Sequence, residues 1–278
     1  MSIDFSTLTG LTIPEGEVTK IQDAAGNVLW ELVQGEPIEG NQAILYSDGA
    51  LVFYNGGYTE PEHGDIVNTY TGWDTTSYSY SSTPWYSDRE SIINVVVKDG
   101  VIPNSTGYWF NGCSNIVSFD LSGLDTSRVA DMTNMFSGCS SVMSLDVSNF
   151  DTTNVTMMSM MFDGMKKLTS LDLSDFNTSN VVYMQNMFYG CSSLISLDLS
   201  SFNTSEVVTM ANMFDRCSKL ISLDMSGFDT PKVANMSYMF RDCSASGFTI
   251  YVGSAAMKTW VESTSNFPST ATVVVGSM

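Results

Sequence analysis

The chain has 278 residues, 43% of them hydrophobic, which is enough apolar material for a large core and argues against wholesale disorder. Acidic residues number 30 against 11 basic ones, giving a formal net charge of −19, which repels phosphate backbones and anionic bilayers and so argues against nucleic acid and membrane surfaces as partners. No apolar run approaches the length of a bilayer span, so no membrane insertion is expected.

Taken in chain order, residues 1–34 come first. "MSIDFSTLTGLTIPEGEV" has neither a basic n-region nor an apolar h-region, so it does not read as a secretory signal. "VTKIQD" and "VLWEL" predict a hairpin around the turn "AAGN". A lone hairpin is not stable, so residues 1–34 are expected to dock or assemble. This stretch resembles the opening segment of phage and prophage tail-associated proteins. The resemblance implies contact with other virion proteins through residues 1–40, with a homo-oligomer as a further option. "GEPIEG", at 35–40, reads as a linker.

Residues 41–91 form a β-rich aromatic region and N-terminal cap. "AILYSDGALVFYN" predicts a hairpin with Asp48-Gly49 as its turn. "TYTGWDTTSYSYSSTPWYSD" is rich in Tyr, Trp, Ser and Thr and nearly free of charge. It either packs on the first coil of the downstream repeats or offers aromatic faces to a sugar, through Trp73, Tyr78, Tyr80, Trp85 and Tyr86. His63, in "EPEHGD", has no nucleophile or second base nearby and receives no catalytic role.

Residues 92–247 repeat every 26 residues. Met-Phe recurs at Met135-Phe136, Met161-Phe162, Met187-Phe188, Met213-Phe214 and Met239-Phe240, with Trp109-Phe110 as a variant one step earlier. In "LISLDLSSF" the alternation of Leu197 and Leu199 with Ser196, Asp198 and Ser200 predicts a short half-buried strand. In "TSEVVTMANMFDRC" the spacing of Val207, Met210, Met213, Phe214 and Cys217 predicts a short amphipathic helix. One such unit cannot bury its apolar face alone, whereas stacked units can. The expected fold class is therefore α/β: a leucine-rich-repeat-like solenoid with a parallel sheet on the concave face and short helices on the other. It is capped at both ends and preceded by a small β-rich segment. Residues 248–278 form the C-terminal cap, with a helix around Ala255–Glu262, a last strand over Ala271–Val275, and Trp260 covering the core.

The motif "MFxGCSSLxSLDLSxFDTSNVxxM" resembles the BspA-like leucine-rich repeats of bacterial surface proteins. That resemblance implies a solenoid that adheres to proteins, cells or other bacteria, and it implies no enzyme.

Five cysteines, at 113, 139, 191, 217 and 243, keep the 26-residue beat, and Met165 stands at the missing position. Met replaces a buried thiol well and a disulfide or metal ligand badly, so free core thiols are expected. Outward between the inward leucines runs a second series: Asp120, Asp146, Asp172, Asp198 and Asp224, flanked by serines. Neighbouring carboxylates about 5 Å apart repel by roughly 0.8 kcal/mol in bulk water. The row is read as a solvated acidic face, as a surface for a basic or hydroxyl-rich partner, or as a calcium ladder. One carboxylate per strand is few for a closed calcium site, and no cofactor or metal is assigned. Identical carboxylates on a shallow face do not divide into acid and base, so glycoside hydrolysis is rejected and no enzyme is expected. Together these readings lead to a binding protein of a phage or prophage virion that recognises a bacterial surface glycan or protein. A bacterial cell-surface adhesin is the alternative, and a structural virion decoration protein the third reading.

Overall fold

The computed structural model describes residues 20–22, 28–31, 41–55, 63–71, 73 and 82–278. The chain divides into two compact units, residues 1–39 and 40–278. In the first, β1 (Lys20–Gln22) and β2 (Val28–Glu31) pair antiparallel, with Lys20 opposite Glu31 and Ile21 opposite Trp30. This is the hairpin that "VTKIQD" and "VLWEL" predict. Its turn and the linker at 35–40 lie outside the described residues.

The second unit begins with the expected hairpin, β3 (Asn41–Tyr46) and β4 (Ala50–Asn55), turned at Asp48-Gly49. Asp48 Oδ1 accepts the Ala50 N–H at 3.0 Å, and Gly49 takes φ +83°, a conformation that costs glycine nothing. β5 (Ile66–Thr71) pairs antiparallel with β3 on its far side. β4 in turn pairs parallel with β6 (Asn94–Val97), and β6 with β7 (Ser118–Asp120). The hairpin is thus the first layer of the solenoid sheet, in the order β5-β3-β4-β6-β7. A second parallel sheet, β11-β10-β9-β8, closes the other end. It contains β8 (Ser196–Asp198), β9 (Ser222–Met225), β10 (Thr249–Val252) and β11 (Thr272–Val275). Between β7 and β8 the equivalent stretches 144–146 and 170–172 bury Leu145 and Leu171 inward as their neighbours do, without forming paired strands.

The expected short helices of the repeats are corrected by the structure. Among the described residues the α-helix is α1 (Ala255–Glu262), in the C-terminal cap, where the sequence places it. Ser254 caps it by accepting the Met257 N–H at 3.1 Å. In the repeats, a ladder of turns replaces the helix. The N–H groups of Met135, Ser137 and Cys139 bond three residues back, to the carbonyls of Met132, Asn134 and Phe136. Those of Asn134, Phe136 and Gly138 bond across to Ser159, Met161 and Asp163 of the next coil. The pattern recurs at 160–164, 186–190 and 212–216. Two positions per coil are left-handed: Tyr108, Asn134, Met160, Asn186, Asn212 and Tyr238 in one row, Gly112, Gly138, Gly164, Gly190, Arg216 and Asp242 in the other. Left-handed residues four apart cannot sit in a right-handed helix.

The core lies between sheet and turn ladder. Phe136, Phe162, Phe188, Phe214 and Phe240 stack through the coils with centroids 5.6–5.9 Å apart. Each is buried, and each contributes roughly 2 kcal/mol of apolar burial before packing terms. The methionines at 132, 158, 184 and 210 and Met165 are buried beside them. All five cysteines are free and buried. Cys191 Sγ donates to the Phe162 carbonyl of the preceding coil at 3.1 Å, and Cys139, Cys217 and Cys243 repeat the bond.

Candidate functional site

The outward side of the sheet is the surface that the sequence singles out. Asp120, Asp146, Asp172 and Asp198 are exposed there, one per coil. Each turns its Oδ1 back onto the backbone N–H two residues on, at Ser122, Ser148, Ser174 and Ser200, over 2.9–3.2 Å. Ser122 Oγ and Ser148 Oγ also donate to the same carboxyl oxygens, at 2.6 and 2.7 Å. These are Asx turns, and they answer why an acidic residue sits between two apolar ones: the carboxylate ends the strand and bends the chain. The bonds hold the Asp120, Asp146 and Asp172 carboxyls below the usual Asp value. At Asp120 the Ser122 hydroxyl contributes most, and at Asp146 and Asp172 the backbone N–H of Ser148 and Ser174. The charge of Asp146 opposes the effect slightly at Asp172.

Asp224 departs from the row. It is 2% exposed, its Oδ1 accepts the Ser226 N–H at 2.8 Å, and its Oδ2 accepts the Met278 N–H at 2.6 Å. It is therefore removed from the set of carboxylates facing solvent. Among the described residues, no group of three or more His, Cys, Asp or Glu side chains converges as a metal site would require.

The aromatic surface is also corrected. Trp73 and Trp85 are fully buried. With Phe53 and Trp109, which stack on each other, they form a cluster of otherwise edge-to-face rings, centroids 5.1–6.2 Å apart, that seals the first coil. Trp85 Nε1 donates to the Trp109 carbonyl at 2.5 Å. Rings packed on all sides offer no face to a sugar. Tyr86 is half-buried beneath the Arg89 guanidinium, 4.2 Å from its ring centroid. Tyr78 and Tyr80 lie outside the described residues. His63 bonds Asp48 Oδ2 at 2.9 Å, beside the β3–β4 turn.

Sequence reasoning missed a third row. Ile93, Val117, Met143, Ile195 and Ile221 are exposed, each just before the outward serine or asparagine of its coil. Met143 is 64% and Ile195 47% exposed. The signal was legible, because the position after the buried "Leu194" type residue is apolar in most coils, Thr169 being the exception. Ladders of apolar and acidic side chains thus run side by side along the stack. Such a surface can meet a partner by burial and by charge together.

Compared with known proteins, the sequence matches the family described as "Mycoplasma protein of unknown function, DUF285" over residues 104–199 and 192–273. A crystal structure of a leucine-rich repeat protein from Eubacterium ventriosum aligns with a TM-score of 0.31 at 17% identity, covering 77% of this chain and 70% of that one. No curated protein matches the sequence.

Proposed function

The chain belongs to the DUF285 family, and from that premise we propose that it is a non-enzymatic binding protein of the leucine-rich-repeat type, which holds a partner at a bacterial surface along its stacked coils. The observation that carries this reading is the row Ile93, Val117, Met143, Ile195 and Ile221, solvent-facing large apolar side chains where the other large apolar side chains among the described residues are mostly buried. Isolated exposed residues of this kind need no explanation, whereas a row of them aligned along the coils, interrupted at Thr169, does. Enzymatic work is disfavoured because the exposed carboxylates of the sheet face are each bound into a turn. The reading is tested with fluorescently labelled protein on bacterial cells. Met143→Ser with Ile195→Ser leaves the core intact and is expected to weaken cell binding at least fivefold. Equal binding by this variant would remove the face from consideration.

The finer assignment is to a phage or prophage virion. There residues 1–40 attach to the particle and the solenoid reaches the host surface. Supporting it is the separateness of unit 1–39, which contributes a two-stranded hairpin too small to stand alone. Light scattering of residues 1–278 and 41–278 tests this. An oligomer that becomes a monomer on truncation supports an assembly device. Two monomers favour the second reading, a bacterial cell-surface adhesin, which the repeat motif itself supports.

A further inference from the structure

The corner between turn ladder and strand carries a trough that the binding reading does not use. Its floor is the glycine row Gly112, Gly138, Gly164 and Gly190, in a cavity of about 570 Å³. A Cβ at Gly138, Gly164 or Gly190 would lie 3.2–3.8 Å from the Cα of the glycine one coil earlier, so a side chain at this position runs back over the preceding coil. Arg216 occupies the same left-handed place in the next coil, with φ +65°. Its guanidinium accordingly lies over the Tyr189 ring, 5.5 Å from the centroid, with Nε 3.9 Å from Asp242 Oδ2. The trough therefore ends in a cation laid across an aromatic face.

Charge is distributed unevenly around it. In a chain of net −19, Lys166 and Arg216 line the trough. Lys166 and Lys167 occupy positions that are serine in the coils at 140–141 and 192–193. Ser114, Ser140 and Ser192 add hydroxyls in three coils, with Lys166 in the place between the last two. Asp163, which accepts from Ser137 Oγ at 3.4 Å, adds a carboxyl in the middle.

We propose that this trough binds a carboxylated glycan, an extended chain of uronate-type sugars laid along the solenoid axis. Coils about 4.8 Å apart repeat at close to the length of one pyranose unit in an extended chain, presenting Ser114, Ser140, Lys166 and Ser192 in turn. Lys166 and Arg216 meet carboxylates two coils apart, and Asp163 and the serines take hydroxyls. The local charge favours this occupant, because a neutral glycan leaves Lys166 and Arg216 unused. The proposal rests on the surface-binding reading and names a second, separate site for it.

The test is isothermal titration calorimetry of the full chain with tetragalacturonate, cellotetraose and a tetraglutamate peptide. Arg216→Gly and Lys166→Ser serve as variants, since each restores the residue that other coils carry there and so keeps the fold. Saturable binding of tetragalacturonate, no binding of cellotetraose, and at least a tenfold loss in either variant are expected. Equal binding of cellotetraose, equal binding of the glutamate peptide, or unchanged binding in both variants overturns the proposal, as does no binding of tetragalacturonate. The two readings fail separately. Cell binding retained while tetragalacturonate does not bind leaves the surface reading and removes the trough. Tetragalacturonate binding lost in the variants, with no binding to cells, leaves the trough and removes the surface reading.

Discussion

Thr178 Oγ1 donates to the Asn203 carbonyl at 2.9 Å and accepts from the Asn203 N–H, also at 2.9 Å. One buried hydroxyl thus satisfies both backbone groups of a residue 25 positions away, in the next coil. Thr152 does the same for Asn177, and Thr204 for Asp229. Thr178→Val keeps the shape and removes both bonds, leaving a donor and an acceptor stranded. It is expected to cost about 2 kcal/mol, with Thr178→Ser costing about half as much. Urea denaturation followed by circular dichroism checks both, and a neutral Thr178→Val would mean that water replaces the hydroxyl.

The Asx turns set the behaviour in acid. The carboxyls of Asp120, Asp146 and Asp172 sit below the usual value of 3.8, so their stabilisation is fully present above pH 3.8. It is lost as pH falls through their lower folded values. Melting temperature should therefore fall as pH drops below about 4. Asp146→Asn with Asp172→Asn retains the acceptor oxygen for each turn and removes the titration. Its melting curve should change less with pH over the same interval.

Asp163 titrates the other way. Burial raises its carboxyl to about 6 against a usual 3.8, and the Ser137 hydroxyl offsets little of that. Its neutral form is favoured in the fold, so its contribution is greatest below pH 3.8 and lost as pH rises through 6. The shift corresponds to roughly 3 kcal/mol, and solvent screening of this half-buried group leaves about 1 kcal/mol. Asp163→Asn should match the native protein near pH 4 and exceed it in melting temperature at pH 7. An advantage equal at both pH values would place its cause elsewhere.

Burial pushes the Cys113, Cys191 and Cys243 thiols up to about 12, and Cys139 and Cys217 well above the ordinary value. A thiol with so little thiolate does not react. Titration with Ellman's reagent should find no fast-reacting thiol in the native protein and five in guanidinium. Any fast native thiol would show that a coil opens locally.

Trp85→Ala should act on folding. Removing a ring packed among Phe53, Trp73 and Trp109 is expected to cost 3–5 kcal/mol, about what large buried aromatics cost elsewhere. A sugar-binding role would instead show as lost binding at unchanged stability.

Repeat length, stacked Phe, Met and Cys rows, the Asp48-Gly49 hairpin and the cap helix Ala255–Glu262 were all legible, because each rests on spacing or on local turn chemistry. The helical stripe misled because Val207, Met210, Met213 and Phe214 face inward equally well from successive turns. What distinguishes the two is the pair of residues four apart that accept a left-handed backbone, Asn134 with Gly138 or Asn186 with Gly190, and that pair was readable. Likewise Asp-x-Ser at 146–148 and 172–174 carries its own turn signal, though charge drew attention to the solvent instead. The burial of Trp73 and Trp85 depends on contacts with Phe53 and Trp109, distant in sequence, and no local pattern encodes it. The trough was hidden for a similar reason: Lys166, Tyr189 and Arg216 come from three coils and meet only once these are stacked.

The paired bonds of Thr152, Thr178 and Thr204 also make the molecule a ruler. Excising residues 170–195 would bring Thr152 opposite Asn203 in place of Asn177, with the same hydroxyl meeting the same carbonyl and N–H. Excising any number other than a multiple of 26 would leave some rung facing the wrong partner. Reach along the axis therefore comes in increments of one coil, about 4.8 Å each, and a gene that gains or loses whole repeats changes how far the protein extends without changing how it folds.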